Sequence, residues 1–433
     1  MRRWLTNYFG VISFRKELLA GLTTFLTMSY IVVVNPLLLK DAGLDPGSVF
    51  VATCLISAMA SIAMGLYANY PIALAPGLSM ATYFSYVIVG QLGYAWQDAL
   101  GAVLIAALLL LLVTVLRLRA YIIAAIPECL KIAISCGIGL FIGLIALKNA
   151  QILNVIPGKL IQWAEPLALP AIFTYLGMGI IVVLHYFRVP GALLLAIVGL
   201  TILGGFYGLT TYQGIFSLPP SIQPTWLALQ MPSLWQLDYW NIILSIFFVA
   251  FFDATGTLLG LLYQAGMPTD AKDPRFAKAL VVDGGAAIVG AGMGTATVGA
   301  YIENAAGIAV GGRTGFTAII VGLLFLLALF FSPLTKTIPN FATASVLLFV
   351  AYLMLKNIRQ VNWRDPAAVV STLLTMVITP LSFSIVYGVA SGFIAYLGVK
   401  LVLCQAKTIS RWQWFLGFIF AGYLAAKWLN FIE

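Results

Sequence analysis

The chain has 433 residues, 62% hydrophobic and 9% charged, with a mean hydropathy of +1.03 and a formal net charge of +9. Soluble domains carry roughly 45–50% apolar and about 25% charged residues, so this composition excludes a water-soluble fold. Apolar runs of about 20 residues, long enough to cross roughly 30 Å of hydrocarbon, point to a polytopic α-helical membrane protein; the alternating segments of a β-barrel are absent.

The N-terminus, MRRWLTNYFGVISFRK, is basic and aromatic and reads as an interfacial lead-in to an uncleaved first span. Fourteen candidate spans follow, at 18–38, 48–67, 72–90, 97–117, 130–147, 168–187, 190–207, 239–262, 276–290, 294–311, 315–332, 341–357, 366–382 and 384–403. A further apolar stretch, 412–431, contains Gln413, Lys427 and Asn430 and fits either a fifteenth span or a helix in the interface. Of the 23 Lys and Arg residues, only Lys40, Lys148, Lys159, Lys336 and Lys427 fall opposite the N-terminus, which places the N-terminus in the cytoplasm. The positive charge is therefore topological, and no nucleic-acid partner is expected. Cys54, Cys129, Cys136 and Cys404 lack metal-ligand spacing, so they read as core or lipid-facing residues, and no cofactor is expected.

Two spans are interrupted. In YPIALAPGLSMATYFSYVIVG (70–90), Pro71 and Pro76-Gly77 prevent an unbroken helix, so an extended stretch should precede a helix starting near Gly77. In GAGMGTATVGAYIEN (290–304), Gly, Thr and Val favour an extended stretch, with a helix starting near Tyr301. The interruptions lie about 220 residues apart with an odd number of spans from one to the other, so they run antiparallel. Matched interruptions of this kind are the signature of an inverted-repeat transporter with a midplane site, where helix N-termini offer free N–H donors.

Two acidic residues fall deep in predicted spans: Asp253, in FFDATGTLLG, and Glu303, in YIEN. A charge at the bilayer centre costs roughly 2.5–3.5 kcal/mol on insertion scales, so such residues face polar cavities and carry function. Burial in a low dielectric favours the neutral form of a carboxylic acid, which makes proton coupling an expectation. Asp283, beside glycines, reads as a packing residue. Glu128, near Lys131, reads as a solvated loop-edge residue, Arg313 as an anchor capping the tenth span, and His185 as a poor proton relay. Tyr83, Phe84, Tyr86, Phe252 and Tyr301 lie near the interruptions, and aromatic faces beside carboxylate acceptors suit a flat, N–H-rich molecule such as a nucleobase.

The stretches ELLAGLTTFLTMSYIVVVNPLLL, MGLYANYPIALAPG, IPECLKIAISCGIGLFIGLIALKNA, FFDATGTLLG and TATVGAYIENAAGIAVGGRTGFTAIIVGLLFLLALFFSP cover nearly the whole chain in order. They resemble the AzgA-like purine permeases, a branch of the nucleobase–cation symporters with the uracil-permease fold. The resemblance implies fourteen segments in two inverted sevens, with short strands in segments 3 and 10. It implies a core domain from 1–120 and 236–335. It also implies a gate domain from 121–235 and 336–433, the latter including the C-terminal apolar helix. Tyr301, Glu303 and Asn304 match the Tyr-x-Glu-Asn motif of the tenth span, and Asp253 matches the acid of the eighth. Carried over, Asp253 and Glu303 would accept hydrogen bonds from the base and one would take the coupled proton. Tyr301, Asn304, Leu78 and Ser79 would border the base, and Thr257, one turn after Asp253, would tune it. One departure is clear: the branch continues Ala-Pro-Gly with Met-Gly-Leu-Asn-Ala, whereas this chain reads Leu78-Ser79-Met80-Ala81-Thr82.

The resulting expectation is a proton-coupled importer of a purine (adenine, guanine or hypoxanthine) in the inner membrane, working by alternating access, with gate domains able to pair as a homodimer. An anion carrier on the same fold is disfavoured by Glu303. An intramembrane aspartyl protease would need Asp253 and Asp283 facing each other and a Gly-x-Gly-Asp type motif, whereas Asp283 follows Val281 and Val282.

Overall fold

The computed structural model describes residues 13–116, 126–154, 162–164, 166–231, 237–267, 273–382 and 385–429. The N-terminal lead-in over 1–12 lies outside the described residues, as do Arg117, Arg119, Lys159 and Lys272 and the side chains of Phe252 and Lys427. The expected first span is a helix pair, α1 (Phe14–Met28) and α2 (Ile31–Lys40), interrupted at Ser29 and Tyr30. Asp45 caps the next helix, α3 (Pro46–Ala63), accepting the Ser48 N–H at 2.7 Å, and Pro46 occupies the first turn, where no N–H is needed. A wider π-helical turn, Met64–Ala68, extends α3 to Asn69, whose left-handed φ of 53° ends it.

The chain then forms a strand, β1 (Leu74–Pro76), and a short helix, α4 (Leu78–Thr82), that widens into π turns over Tyr83–Val89. Next come α5 (Trp96–Val115) and α6 (Glu128–Asn149), followed by the two-residue strands β2 (Leu153–Asn154) and β3 (Gln162–Trp163). Helices α7 (Leu169–Tyr186), α8 (Ala192–Phe206), α9 (Leu237–Gln264) and α10 (Pro274–Met293) lead to β4 (Val298–Ala300) and α11 (Asn304–Val310). The chain closes with α12 (Gly315–Ala328), α13 (Ser332–Thr337), α14 (Asn340–Lys356), α15 (Pro366–Ser382), α16 (Ile385–Val402) and α17 (Arg411–Leu429).

Among the described residues, nine helical segments are long and apolar enough to cross a membrane, and four further apolar helices are shorter. This is a multi-pass, mainly helical membrane protein. The spans at 72–90 and 294–311 are interrupted as expected, each containing a three-residue strand before its helix. Gly294 explains the second interruption. It ends α10 with φ 88°, and a Cβ there would lie 2.3 Å from Thr225 Cβ, so only glycine fits the turn.

The two strands pair with each other, antiparallel, with Leu74 opposite Ala300, Ala75 opposite Gly299 and Pro76 opposite Val298. The Gly77 N–H then donates to Thr297 O at 2.8 Å. Extended backbone inside a bilayer must satisfy its own polar groups, and this pairing does so from two distant stretches of sequence.

The chain divides into two units, one of residues 1–114 and 147–346 and the other of 115–146 and 347–433. The first is built around α3, α9, α10 and the strands, with Ile56, Tyr70, Leu74, Leu262, Met293 and Val298 in its buried core. There α3 and α12 meet with almost no separation, since a Cβ on Gly315 would lie 2.1 Å from Gly65 O. In the second unit α15 packs on α16, and α17 adds to α16 through the Phe393 and Phe420 rings, 5.4 Å apart.

Candidate functional site

Asn304, completely buried, fixes the strand pair. Its Oδ1 accepts the Ala73 N–H at 2.7 Å, and its Nδ2 donates to Ala73 O at 3.0 Å and to Tyr301 O at 2.6 Å. Ser61 does the same for the next residue, accepting the Leu74 N–H at 3.0 Å. These side chains satisfy backbone groups that neither a helix nor the two-stranded ladder reaches. The Tyr301 hydroxyl donates to Pro76 O, so the end of β4 is tied to the end of β1.

Around this brace stand the two acids. Asp253, partly buried on α9, accepts a hydrogen bond from Ser79 Oγ at 3.1 Å. Glu303, at the start of α11, accepts one from the Tyr30 hydroxyl at 2.7 Å. Asp253 faces the end of β1, where a Cβ on Gly77 would lie 3.8 Å from its Oδ2. Three remote parts of the chain, the α1–α2 break, β1–α4 and α9, thus converge on the Tyr301–Asn304 turn. Chemically the arrangement offers two carboxyl groups and their hydroxyl partners beside irregular backbone: acceptors for N–H groups and sites for a proton.

Of the residues singled out in the sequence, Asp253, Ser79, Glu303, Tyr301 and Asn304 come together here. Leu78, buried, starts α4 beside the same strand end. Thr257 lies one turn along α9, with no hydrogen bond from its hydroxyl to Asp253. Tyr83 and Phe84 are buried, whereas Tyr86 points elsewhere, donating to Asp41 Oδ2 at 2.5 Å and accepting from Asn149 Nδ2 at 2.8 Å. Asp283 is buried on α10 beside Gly299 of β4. Glu128 is exposed at the start of α6. Arg313 caps α11, its Nη1 donating to Ile308 O at 2.6 Å and Gly312 O at 2.8 Å. No cluster of three or more metal-ligating side chains occurs among the described residues.

Sequence reasoning missed Tyr30 and Glu17. A tyrosine in an otherwise aliphatic run, SYIVVVNP, has a hydroxyl that needs a partner when buried, and that was the available signal. Glu17, 3% exposed, accepts the Arg313 N–H at 3.1 Å and the Thr317 hydroxyl, pinning the start of α1 to the loop before α12. Its place at the edge of a predicted span gave no sign of burial.

The adenine permease AdeP of Escherichia coli (strain K12) is 43% identical over 397 residues, covering 92% of this chain and 89% of that protein. The guanine/hypoxanthine permease PbuG of Bacillus subtilis (strain 168) is 37% identical, covering 95% and 96% respectively. The fold is similar to the transmembrane domain of a cyanobacterium bicarbonate transporter, BicA, with a TM-score of 0.64 at 18% identity over 89% of this chain and 98% of that one. It is also similar to SLC26A9, with a TM-score of 0.65 at 14% identity over 93% of this chain and 66% of that one. Residues 15–393 match the Xan_ur_permease family, described as "Permease family". With most of its length inside that match and relatives this similar at full length, the chain belongs to this family of permeases and is a transporter rather than an enzyme.

Proposed function

We propose that this permease imports a purine nucleobase (adenine, guanine or hypoxanthine) together with protons, across an inner membrane with its N-terminus in the cytoplasm. Asp253 and Glu303 receive the N–H groups of the base, and one of the two carries the coupled proton. Ser79 and Tyr30 hold the carboxyl groups in place, while Tyr301, Leu78 and Asn304 fix the strand ends against which the ring lies. Transport proceeds by alternating access within fourteen membrane segments arranged as two inverted sevens. The core (1–120 and 236–335) moves against the gate (121–235 and 336–433).

The observation that supports this reading is the placement of two hydrogen-bonded carboxyl groups beside the ends of one antiparallel strand pair. The relatives, an adenine permease and a guanine/hypoxanthine permease, supply the class of base. The structural neighbours include a bicarbonate transporter, but two carboxyl groups at the strands repel an anion and attract N–H donors.

Uptake of labelled adenine tests the proposal, with unlabelled guanine and hypoxanthine as competitors and with or without a protonophore. Glu303→Gln and Asp253→Asn are each expected to abolish accumulation, and the protonophore to collapse it in the wild type. Undiminished uptake by both variants removes the site, and accumulation that survives the protonophore removes proton coupling.

A further inference from the structure

A crevice of about 740 Å³ opens along α8, lined by Phe25, Val32, Val198, Ile202 and Leu327 among others, with no Asp, Glu, Lys, Arg or His among the described residues of its wall. Several of its walls are open: Val198 is 45% exposed, Ile202 57% and Leu327 54%. In a membrane protein a mainly apolar, uncharged and open-sided crevice of this kind is filled by hydrocarbon rather than water. From Leu194 to Gly205, both on its wall, α8 rises about 16 Å at 1.5 Å per residue, roughly half of a hydrocarbon core of about 30 Å. A wall of that length matches an acyl chain of one leaflet.

At one end it runs into a second, polar pocket of about 480 Å³, and Val33, Phe50, Thr335 and Ile338 line both. That pocket holds Lys40, in the last turn of α2, and Lys336, in the last turn of α13. Both lysines are exposed, and neither forms an ion pair among the described residues. The pocket's acid, Asp45, is engaged as the cap of α3, accepting Ser48 N and Ser48 Oγ at 2.7 Å each. With two lysines against one carboxylate the pocket carries a net positive charge, and Gln213 and Thr335 are further hydrogen-bonding side chains.

We propose that the crevice and the pocket form one binding site for an anionic phospholipid, with an acyl chain along α8 and the phosphate between Lys40 and Lys336. Charge complementarity selects the headgroup and the apolar depth selects the chain. The site is separate from the paired strands, and its occupancy does not depend on which substrate is carried.

Native mass spectrometry of the full chain, exchanged into detergent with equimolar phosphatidylglycerol and phosphatidylcholine of the same acyl length, tests the site. Two lysines near the headgroup, at about 1 kcal/mol each, predict roughly thirtyfold preferential retention of phosphatidylglycerol. The double substitution Lys40→Ala/Lys336→Ala should bring the two lipids to parity, whereas Lys40→Arg/Lys336→Arg should keep the preference. Ile202→Trp fills the crevice without touching the lysines and should weaken retention of both lipids. Millimolar inorganic phosphate should leave the lipid in place, because the chain contributes to binding. Equal retention by the wild type, a preference that survives the double alanine variant, or displacement by phosphate alone would each overturn the proposal.

Discussion

The Tyr30 hydroxyl donates to Glu303 Oε1 at 2.7 Å across 273 positions of sequence. Tyr30 sits where α1 gives way to α2, and Glu303 where β4 gives way to α11. Two interruptions of regular structure are thus joined by one hydrogen bond, which holds the carboxyl group in a single orientation.

Tyr30→Phe keeps the ring and deletes the donor. Hydrogen bonds to charged groups contribute about 1.5–3 kcal/mol, which corresponds to about ten- to hundredfold. The expected result is a fall of that size in the Vmax/KM of purine uptake at unchanged membrane expression. Wild-type kinetics in this variant would remove Tyr30 from the site.

Ser79 stands where the resembling branch has glycine, and it supplies the Asp253 carboxyl with a donor at 3.1 Å. Ser79→Gly and Ser79→Ala should each weaken uptake by about two- to tenfold, the range of a net contribution of about 0.5–1.5 kcal/mol. Ser79→Thr, which keeps the hydroxyl, should retain most activity. Comparing KM for adenine and guanine in the same variants checks whether the hydroxyl acts on base preference.

Asn304→Ala leaves the Ala73 N–H and C=O without their partners in a buried position. Each unsatisfied group costs about 1–3 kcal/mol, so the thermal midpoint in detergent should fall together with uptake. A variant of normal stability that fails to bind purine would instead place the Asn304 amide on the substrate itself.

Gly294→Ala meets two obstacles, the positive φ of 88° and the side chain of Thr225. The backbone part costs roughly 1–2 kcal/mol for an L-residue, and the steric part adds to it. Thr225→Gly in the same chain removes the Cβ at 2.3 Å but leaves the carbonyl oxygen at 2.9 Å and φ unchanged, so it should restore only part of the loss. Full recovery of the thermal midpoint in the double variant would show that backbone conformation contributes nothing here.

The sequence was informative wherever one residue's chemistry acts locally. Pro76-Gly77 and the glycine-rich run before β4 locally disfavour a helix through β1 and β4. Asp253 and Glu303 were visible because ionisable groups are conspicuous in apolar runs. Arg313 was legible as a cap because it directly follows Gly311 and Gly312 at the end of α11.

Tertiary structure decided who meets whom. No local rule pairs Leu74 with Ala300, gives Asn304 the backbone of Ala73, or sets Tyr30 on Glu303. Nor does one bury Glu17 beneath Arg313 and Thr317 or carry Tyr86 away to Asp41. Sequence periodicity reports which face of a segment is apolar, and partner choice depends on the unpaired groups of segments hundreds of residues away. In a medium without water those groups must find each other, and only the folded chain brings them within reach.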